Sequence, residues 1–221
     1  MRLLRIRRRP SSAAARTYDR ARLPSPKTPW REAAYAVVDL ETTGLDPRSD
    51  EIVSFASIPI EGGRVVVGRA CTGIARPERM PDAKTIRIHG LRPLDLADAP
   101  PLTELCDRIL ESLAGRVLVA HAAWVERGFL SAALKPLGVR LAEPVLDTAM
   151  LARQVLDPGT LPDEGAVSLS DAARGVSLPV HSPHVAEGDA LTTAQLFLAI
   201  VARLERTEPQ TVGSLARLSK G

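Results

Sequence analysis

Residues 34–45 read AYAVVDLETTGL, an apolar run that ends in two acids and a Thr-Thr-Gly-Leu segment. Side chains two positions apart on a β-strand point to the same face, so Asp39 and Glu41 should lie side by side. Two carboxylates that emerge from a buried strand repel each other and are costly to remove from water. A divalent cation relieves both costs, because hard cations bind carboxylate oxygens. A bare Asp-x-Glu would more often be a charged turn after a strand, but the attached Thr-Thr-Gly-Leu favours a strand that presents metal ligands.

The segments that follow predict further strands and helices. Apolar runs at 52–60 and 64–74 are separated by a Glu-Gly-Gly turn, which is typical of a hairpin. Two short strands are predicted at 116–120 and 144–146. Helical spacing of apolar residues, with start and stop signals, predicts helices at 102–113, 124–137, 148–156, 168–175 and about 186–205.

The order of these elements predicts the fold class. Three strands in a meander, followed by strands that alternate with helices, indicate an α/β protein with a mixed five-stranded sheet and helices on both faces. Residues 75–100, which are rich in proline, and a loop over 157–167 are predicted to be irregular. Ligand sites in such sheets tend to lie at strand ends, where Asp39 and Glu41 are expected.

Basic residues are concentrated at the start of the chain. Residues 1–30 contain nine Arg or Lys and one acid, whereas the rest of the chain contains 20 basic and 25 acidic residues. Four prolines in the first 30 residues interrupt regular structure. We therefore predict a basic, flexible N-terminal arm over 1–30, a folded domain over 31–207 and a short C-terminal tail over 208–221. The arm fits binding to nucleic acid or to an acidic surface, and equally a solubilising extension.

Composition narrows the class of protein. A chain of 221 residues, with 45% hydrophobic and 3% aromatic residues, can form one domain with an aliphatic core. Two cysteines, Cys71 and Cys106, argue against a disulfide framework and for a reducing compartment. The sequence lacks an apolar run near the roughly 18 residues that span a membrane. The Arg- and Ser-rich start could pass for a mitochondrial transit peptide, but Arg outnumbers Lys along the whole chain.

The segment from Asp39 to Leu45 resembles the first motif of the DnaQ-like (DEDDh) 3′→5′ exonucleases. This family includes the proofreading epsilon subunit of bacterial DNA polymerase III, ribonuclease T and oligoribonuclease. Residues 184–190, HVAEGDA, resemble the third motif. The resemblance implies an RNase H-like fold and two divalent cations, Mg²⁺ or Mn²⁺. It also implies that Asp189 is the last metal carboxylate and that His184 faces the attacking water.

The second motif departs from the family pattern. Residues 121–130 read HAAWVERGFL, where the family usually has His-Asn-Ala-x-Phe-Asp-x-x-Phe-Leu. Ala122 replaces the Asn, Val125 replaces a Phe that could stack on a terminal base, and Glu126 replaces the metal-binding Asp. Glu126 keeps the carboxylate oxygens but is one methylene longer. It could bind a cation through water or in a bidentate manner, or lower activity.

Two weaker matches complete the resemblance. Residues 86–91, IRIHGL, resemble a family segment beside the terminal nucleotide, and Asp147 lies in a Leu-Asp-Thr match where a helix N-cap is the expected role. The catalytic residues implied are Asp39, Glu41, Glu126, His184 and Asp189, of which the four acids are the metal ligands. The residues implied to position the last nucleotide are Thr42, Thr43, Gly44, Leu45, Ile88, His89 and His121. His181 is a rival to His184, but the five-residue spacing to the final Asp selects His184.

The function predicted is a metal-dependent 3′→5′ exonuclease that releases nucleoside 5′-monophosphates from single-stranded 3′ ends. DNA is favoured over RNA because Thr42 follows Glu41 where oligoribonuclease usually has Met. The alternatives are an RNA-trimming exoribonuclease and a catalytically impaired nucleic-acid-binding module. A polymerase or another protein could bind the arm, although the short segment after the last predicted helix favours a stand-alone enzyme. We expect a cytoplasmic, bacterial protein that does not bind membranes.

Overall fold

The computed structural model of the chain describes residues 9–157 and 167–220, and a mixed sheet runs through its centre. Within those residues the sheet has six strands: β1 (Tyr35–Thr42), β2 (Ile52–Glu61), β3 (Arg64–Val65), β4 (Cys71–Ile74), β5 (Val117–Ala120) and β6 (Val145–Asp147). β1 is central, since it pairs antiparallel with β2 and parallel with β5, and β5 pairs in parallel with β6. The predicted α/β class with a mixed sheet is confirmed.

The predicted third strand, and with it the count of five strands, is wrong because the segment 64–74 is broken. β3 and β4 pair with different parts of β2 and are separated by a 3₁₀ turn at Val67–Arg69. The backbone N–H of Val66 donates to the carbonyl oxygen of Pro59 at 2.9 Å. Pro59 can therefore accept a hydrogen bond from the neighbouring segment, but it has no N–H to donate in return. The pairing of β3 with β2 stops at Pro59, and the chain leaves the sheet before β4 pairs with β2.

Helices cover both faces of the sheet, as predicted. In the described residues they are α1 (Ala13–Arg20), α2 (Ala83–His89), α3 (Pro93–Ala97), α4 (Leu102–Leu113), α5 (Trp124–Leu134), α6 (Thr148–Ala152), α7 (Leu169–Gly175), α8 (Ala186–Leu204) and α9 (Val212–Leu218). Apolar residues of α1, α4 and α5 pack on one face, and those of α6, α7, α8 and α9 on the other. None of these helices is both long and apolar enough to cross a membrane.

Residues 75–100 were expected to be irregular, but they contain α2 and α3. Asp82 caps α2 by accepting a hydrogen bond from the backbone N–H of Thr85 at 2.7 Å. α3 begins with Pro93, and the Asp95 side chain accepts from the backbone N–H of Arg92 at 2.8 Å. Helices of seven and five residues are too short to show apolar periodicity, so only their caps could have revealed them.

The part of the predicted flexible arm that the structure describes is packed against the domain. α1 lies on α4, with Ala14, Ala15 and Tyr18 buried in the apolar layer. The Tyr18 hydroxyl also accepts a hydrogen bond from the backbone N–H of Ala142 at 2.9 Å. α1 is therefore part of the folded structure, since one face of a short polar helix carries enough apolar surface to be buried. Residues 1–8 lie outside the described residues.

The predicted C-terminal tail is also structured and contacts the N-terminal segment. The backbone N–H of Val212 donates to the Thr28 carbonyl at 3.1 Å, and that of Trp30 donates to the Gln210 carbonyl at 3.1 Å. The Trp30 indole N–H donates to Glu205 Oε1 at 2.9 Å. These bonds join the segments on either side of the predicted boundaries at 31 and 207, so neither segment is separate from the domain.

The two tryptophans of the chain should differ sharply in their effect on stability. Trp30 is 2% exposed within the apolar layer, whereas Trp124 is 58% exposed. Trp30→Ala should lower the free energy of unfolding by about 3–5 kcal/mol, because a buried aromatic is lost. Trp124→Ala should change it by about 0.5 kcal/mol or less. Urea unfolding of the two variants tests this, and similar losses in both would contradict the packing of the N-terminal segment.

Candidate active site

The central strand presents two acids to the layer that contains α8. Asp39 pairs with Ala56 of β2 and Glu41 with Ser54, so both lie within β1, which extends two residues beyond its predicted end. They continue the face of β1 that carries Tyr35, which packs beneath α8. The predicted orientation of both carboxylates toward the same face is what alternation along a strand dictates.

Asp189 joins this pair from the first turn of α8. One carboxylate oxygen from each of Asp39, Glu41 and Asp189 lies within 4.8 Å of the other two. The approach depends on Gly188, because a Cβ there would lie 2.5 Å from the carbonyl oxygen of His181. A larger residue would push the loop at His181 and Ser182 away from α8. The glycine therefore allows this loop to pack against the helix next to Asp189.

His184 stands beside Asp189 with its side chain exposed. Its backbone N–H donates to Asp189 Oδ2 at 2.8 Å, and its φ of 61° lies in the left-handed region. The rival His181 has its Nε2 at 3.0 Å from Gln195 Oε1 and is held in a structural contact. The geometry therefore leaves the imidazole of His184 accessible at the acidic cluster.

Glu126, in the first turn of α5, lies outside the group of carboxylates that are within 4.8 Å of one another, but it lines a cleft together with Glu41. It is 4% exposed, and its Oε2 has no hydrogen-bond partner among the described residues. Burial raises its pKa to about 8, and repulsion from Asp147 and Glu41 adds to the rise, against a lowering by a backbone hydrogen bond. Its charge also acts on Asp39. A buried carboxylate oxygen without a partner is costly, and a bound cation would relieve that cost.

The other three acids are also harder to ionise than in water. Burial, followed by repulsion from Asp189, raises the pKa of Glu41 to about 7. Burial and the neighbouring carboxylates hold the pKa of Asp39 well above its usual range, and burial raises that of Asp189. All four acids would be stabilised in their ionised forms by a divalent cation with a preference for oxygen ligands. The cluster therefore fits such a cation.

A cleft of about 830 Å³ is lined by two of these acids, Glu41 and Glu126, whereas Asp39 and Asp189 are not among its lining residues. The predicted nucleotide-positioning residues that line it are Thr42, Thr43, Gly44, Leu45, Ile88 and His89. A Cβ on Gly44 would lie 2.4 Å from Asp50 Oδ2, and that oxygen accepts the backbone N–H of Asp46 at 2.9 Å. The glycine therefore lets the Asp50 carboxylate close the loop after β1 and shape one wall of the cleft.

His121 is not brought into the cleft. Its Nε2 lies 2.7 Å from the carbonyl oxygen of Val167, which can only accept, so Nε2 carries the proton. Its Nδ1 lies 2.9 Å from Thr148 Oγ1. Because both ring nitrogens are engaged within the protein, the expectation that this residue contacts the nucleotide is not supported, and its role is to hold the turn before α5.

Several residues that line the cleft were not singled out from the sequence, among them Asp50, Arg79, Met80, Lys84 and Thr85. The Glu51 carboxylate fixes this wall by accepting the backbone N–H groups of Glu78 and Arg79 at 2.8 and 3.2 Å. The capping signal at Asp82 was present in the sequence and marks the start of α2. Arg79 and Lys84 belong to no motif, so only the folded chain reveals their place.

Comparison with known proteins identifies relatives of the chain. The exonuclease family profile matches residues 36–197. A DNA polymerase III subunit epsilon-like protein of Rhodobacter capsulatus is 33% identical over 190 residues, which cover 86% of this chain and 27% of the relative. The 3′-5′ exonuclease DinG of Bacillus subtilis is 29% identical over 188 residues, which cover 84% of this chain and 19% of the relative. The chain thus spans roughly a quarter and a fifth of these two proteins.

Solved structures share the fold. Exonuclease X in complex with 5′ overhanging duplex DNA has a TM-score of 0.65 and 24% identity, over 84% of this chain and 99% of that chain. E. coli exonuclease I in complex with a dT13 oligonucleotide has a TM-score of 0.66 and 17% identity, over 79% of this chain and 42% of that chain. At these identities the likeness establishes the fold, and the predicted RNase H-like architecture is confirmed.

The metal-free protein should lose stability as pH rises through neutrality. Folding raises the pKa values of Glu41 and Glu126 from 4.5 to about 7 and about 8. Between about pH 4.5 and pH 8 the folded state therefore binds more protons than the unfolded state, and the free energy of unfolding falls as pH increases. Below that window both states are protonated and these groups have no effect.

Urea unfolding in EDTA, at about pH 5.5 and pH 8.5, measures this fall. Glu126→Gln should flatten it, because the buried group can no longer ionise. Glu187→Gln, which alters an exposed acid in the first turn of α8, is the matched control and should leave the fall unchanged. If the free energy of unfolding fell by the same amount in Glu126→Gln and in wild type, Glu126 would not contribute to the pH dependence.

Proposed function

This chain belongs to the exonuclease family, and we propose that it removes nucleotides from the 3′ end of a DNA strand by hydrolysis. The observation that carries the proposal is the close grouping of the Asp39, Glu41 and Asp189 carboxylates beside a cleft that Glu41 and Glu126 line. DNA is the proposed substrate because similar proteins are named for DNA polymerase III and similar folds are bound to DNA. A role in DNA replication or repair belongs to the same proposal.

The four acids are the residues that would hold the cations, and two Mg²⁺ or Mn²⁺ ions are the proposed number and identity. Such cations would neutralise charge on the reacting phosphodiester and lower the pKa of the attacking water. Glu126 contributes a carboxylate from α5, and its unpartnered Oε2 supports a ligand role. The substitution of Glu for the family's Asp therefore keeps the charge that the chemistry requires.

His184 is the proposed general base, because its imidazole is exposed beside Asp189. The oxygen of the attacking water bonds to phosphorus while a proton of that water passes to the imidazole. The bond from phosphorus to the 3′ oxygen of the preceding nucleotide breaks, and that oxygen takes up a proton. The products are a nucleoside 5′-monophosphate and a strand that is one nucleotide shorter.

The cleft walls suit an unpaired strand end. Leu45 and Ile88 are exposed apolar side chains that could contact bases, and Val125 lines the cleft where the family usually has Phe. Arg79 and Lys84 are the lining residues of opposite charge to the phosphates. This combination of apolar and cationic walls supports a single-stranded 3′ end as substrate. A cytoplasmic location and a protein partner for the basic N-terminal residues remain predictions.

Digestion of a 5′-labelled single-stranded DNA oligomer, beside the matched RNA, tests the activity. In Mg²⁺ or Mn²⁺ we expect a ladder that shortens from the 3′ end, with DNA degraded faster than RNA and no shortening in EDTA. Asp39→Asn should abolish the ladder because a ligand charge is lost, and Asp98→Asn, at the exposed end of α3, should retain it. Binding of the oligomer without any shortening by wild type would favour the impaired binding module, and faster RNA degradation would favour the exoribonuclease.

His184→Gln should lower kcat by about 10²–10⁴-fold and leave residual metal-dependent activity, because the loss of a general base typically has that effect. His181→Gln is the matched control three residues away, and it should retain activity because its ring contacts Gln195. Single-turnover rates across about pH 5.5 to 9 measure both variants. An unchanged pH profile in His184→Gln would remove this residue as the base.

A further inference from the structure

The turn that leads into α5 lacks the residues that usually start a helix. Ala123 occupies the N-cap position and has no side chain that can accept a hydrogen bond. Ala122 has a φ of 56°, in the left-handed region that favours glycine or asparagine. The sequence at the turn therefore supplies neither a cap nor a residue suited to this backbone conformation. Something outside the turn has to hold it.

The carboxylate of Asp147 fills this role from the end of β6. Its Oδ1 accepts the backbone N–H of Ala122 at 3.1 Å, and its Oδ2 accepts that of Ala123 at 3.0 Å. The same Oδ1 accepts the N–H of Ala149 at 2.8 Å and caps α6. One side chain thus satisfies three backbone donors at the starts of two helices.

Thr148 reinforces the same turn. It is buried, and its hydroxyl lies 3.2 Å from the carbonyl oxygen of Ala120 and 2.9 Å from Nδ1 of His121. Ala120 pairs with Asp147 across the β5–β6 ladder, so the two strand ends are in register. Because Nε2 of His121 carries the ring proton, the single hydroxyl proton goes to Nδ1, and the clamp joins the end of β6 to residues 121–123.

Glu126 lies in the first turn of α5, three residues beyond this clamp. Its Oε2 has no hydrogen-bond partner among the described residues, so side-chain contacts at that oxygen do not aim it. A hydrogen bond with its own backbone ties the carboxylate to this turn, so its direction follows the backbone there. We propose that Asp147 is a positioning residue that holds the start of α5 so that the Glu126 carboxylate faces Asp39 and Glu41. The inference rests on the proposed function, since it assigns Asp147 a part in that site.

Asp147→Ser separates the two roles of this side chain, which are to cap α6 and to hold the backbone of Ala122 and Ala123. A serine hydroxyl can still cap α6 through the N–H of Ala149, but it is too short to accept from Ala122 and Ala123 as well. Asp147→Asn keeps the size and one carbonyl oxygen, so it should restore part of the function. Thr211→Ala is the matched control, because it removes an N-cap from α9, a helix that contributes no residue to the lining of the cleft.

Three readouts are needed for each folded variant: Mn²⁺ affinity without substrate, kcat and KM on single-stranded DNA, and the midpoint of thermal unfolding. We expect Asp147→Ser to lose about 10–100-fold in Mn²⁺ affinity or kcat, as residues that orient metal ligands do, with KM little changed. Asp147→Asn should be intermediate. Thr211→Ala should unfold at a lower temperature and keep both Mn²⁺ affinity and kcat.

Wild-type Mn²⁺ affinity and kcat in Asp147→Ser, with or without a lower unfolding temperature, would overturn the positioning role and leave the exonuclease proposal intact. The failure of the exonuclease proposal looks different. Wild-type protein would then neither bind Mn²⁺ nor shorten DNA, and the positioning role would fall with it.

Discussion

Repulsion among the carboxylates around the end of β1 is the constraint on which the rest of the structure depends. Asp39 and Glu41 come from the strand, and two further acids come from α8 and α5 on opposite faces of the sheet. Burial raises the pKa of all four, so the cluster opposes folding of the metal-free protein at neutral pH. The free energy that holds these elements together must therefore come from packing elsewhere.

That packing is distributed over two apolar layers and over the contact between residues 28–30 and residues 210–212. β1 is buried on both faces, with Tyr35 and Val37 toward α8 and Ala36 and Val38 toward α4. The segment around Trp30 hydrogen bonds to the start of α9 and closes the layer beneath α8. Three carboxylates hold turns near the site by accepting backbone N–H groups: those of Asp50, Glu51 and Asp147. The turns around the site are thus tied by hydrogen bonds to well-packed strands.

Local patterns made much of this predictable. The run ending at Asp39 and Glu41 predicted the first strand and two carboxylates on one of its faces, and the exonuclease family implied by the motifs is confirmed by the match over residues 36–197. The sequence could not indicate that the predicted third strand breaks opposite Pro59 of β2. The break depends on which neighbouring strand the missing N–H of Pro59 would face, and this is known only once the strands are paired. Nor could the sequence place Arg79 or the packed α1, since both depend on contacts between residues far apart in the chain. His121 matched a motif, yet its ring is held by Val167 and Thr148.

The central claim is that the buried acids together bind divalent cations and lose their protons when the cations bind. Calorimetric titration of the metal-free protein with Mn²⁺ at pH 7, in two buffers with different heats of ionisation, tests this claim directly. The raised pKa values of Glu41 and Glu126 predict that binding releases protons, so the observed heat should depend on the buffer. Binding whose heat is the same in both buffers, or binding that persists unchanged in Asp39→Asn, would contradict the account.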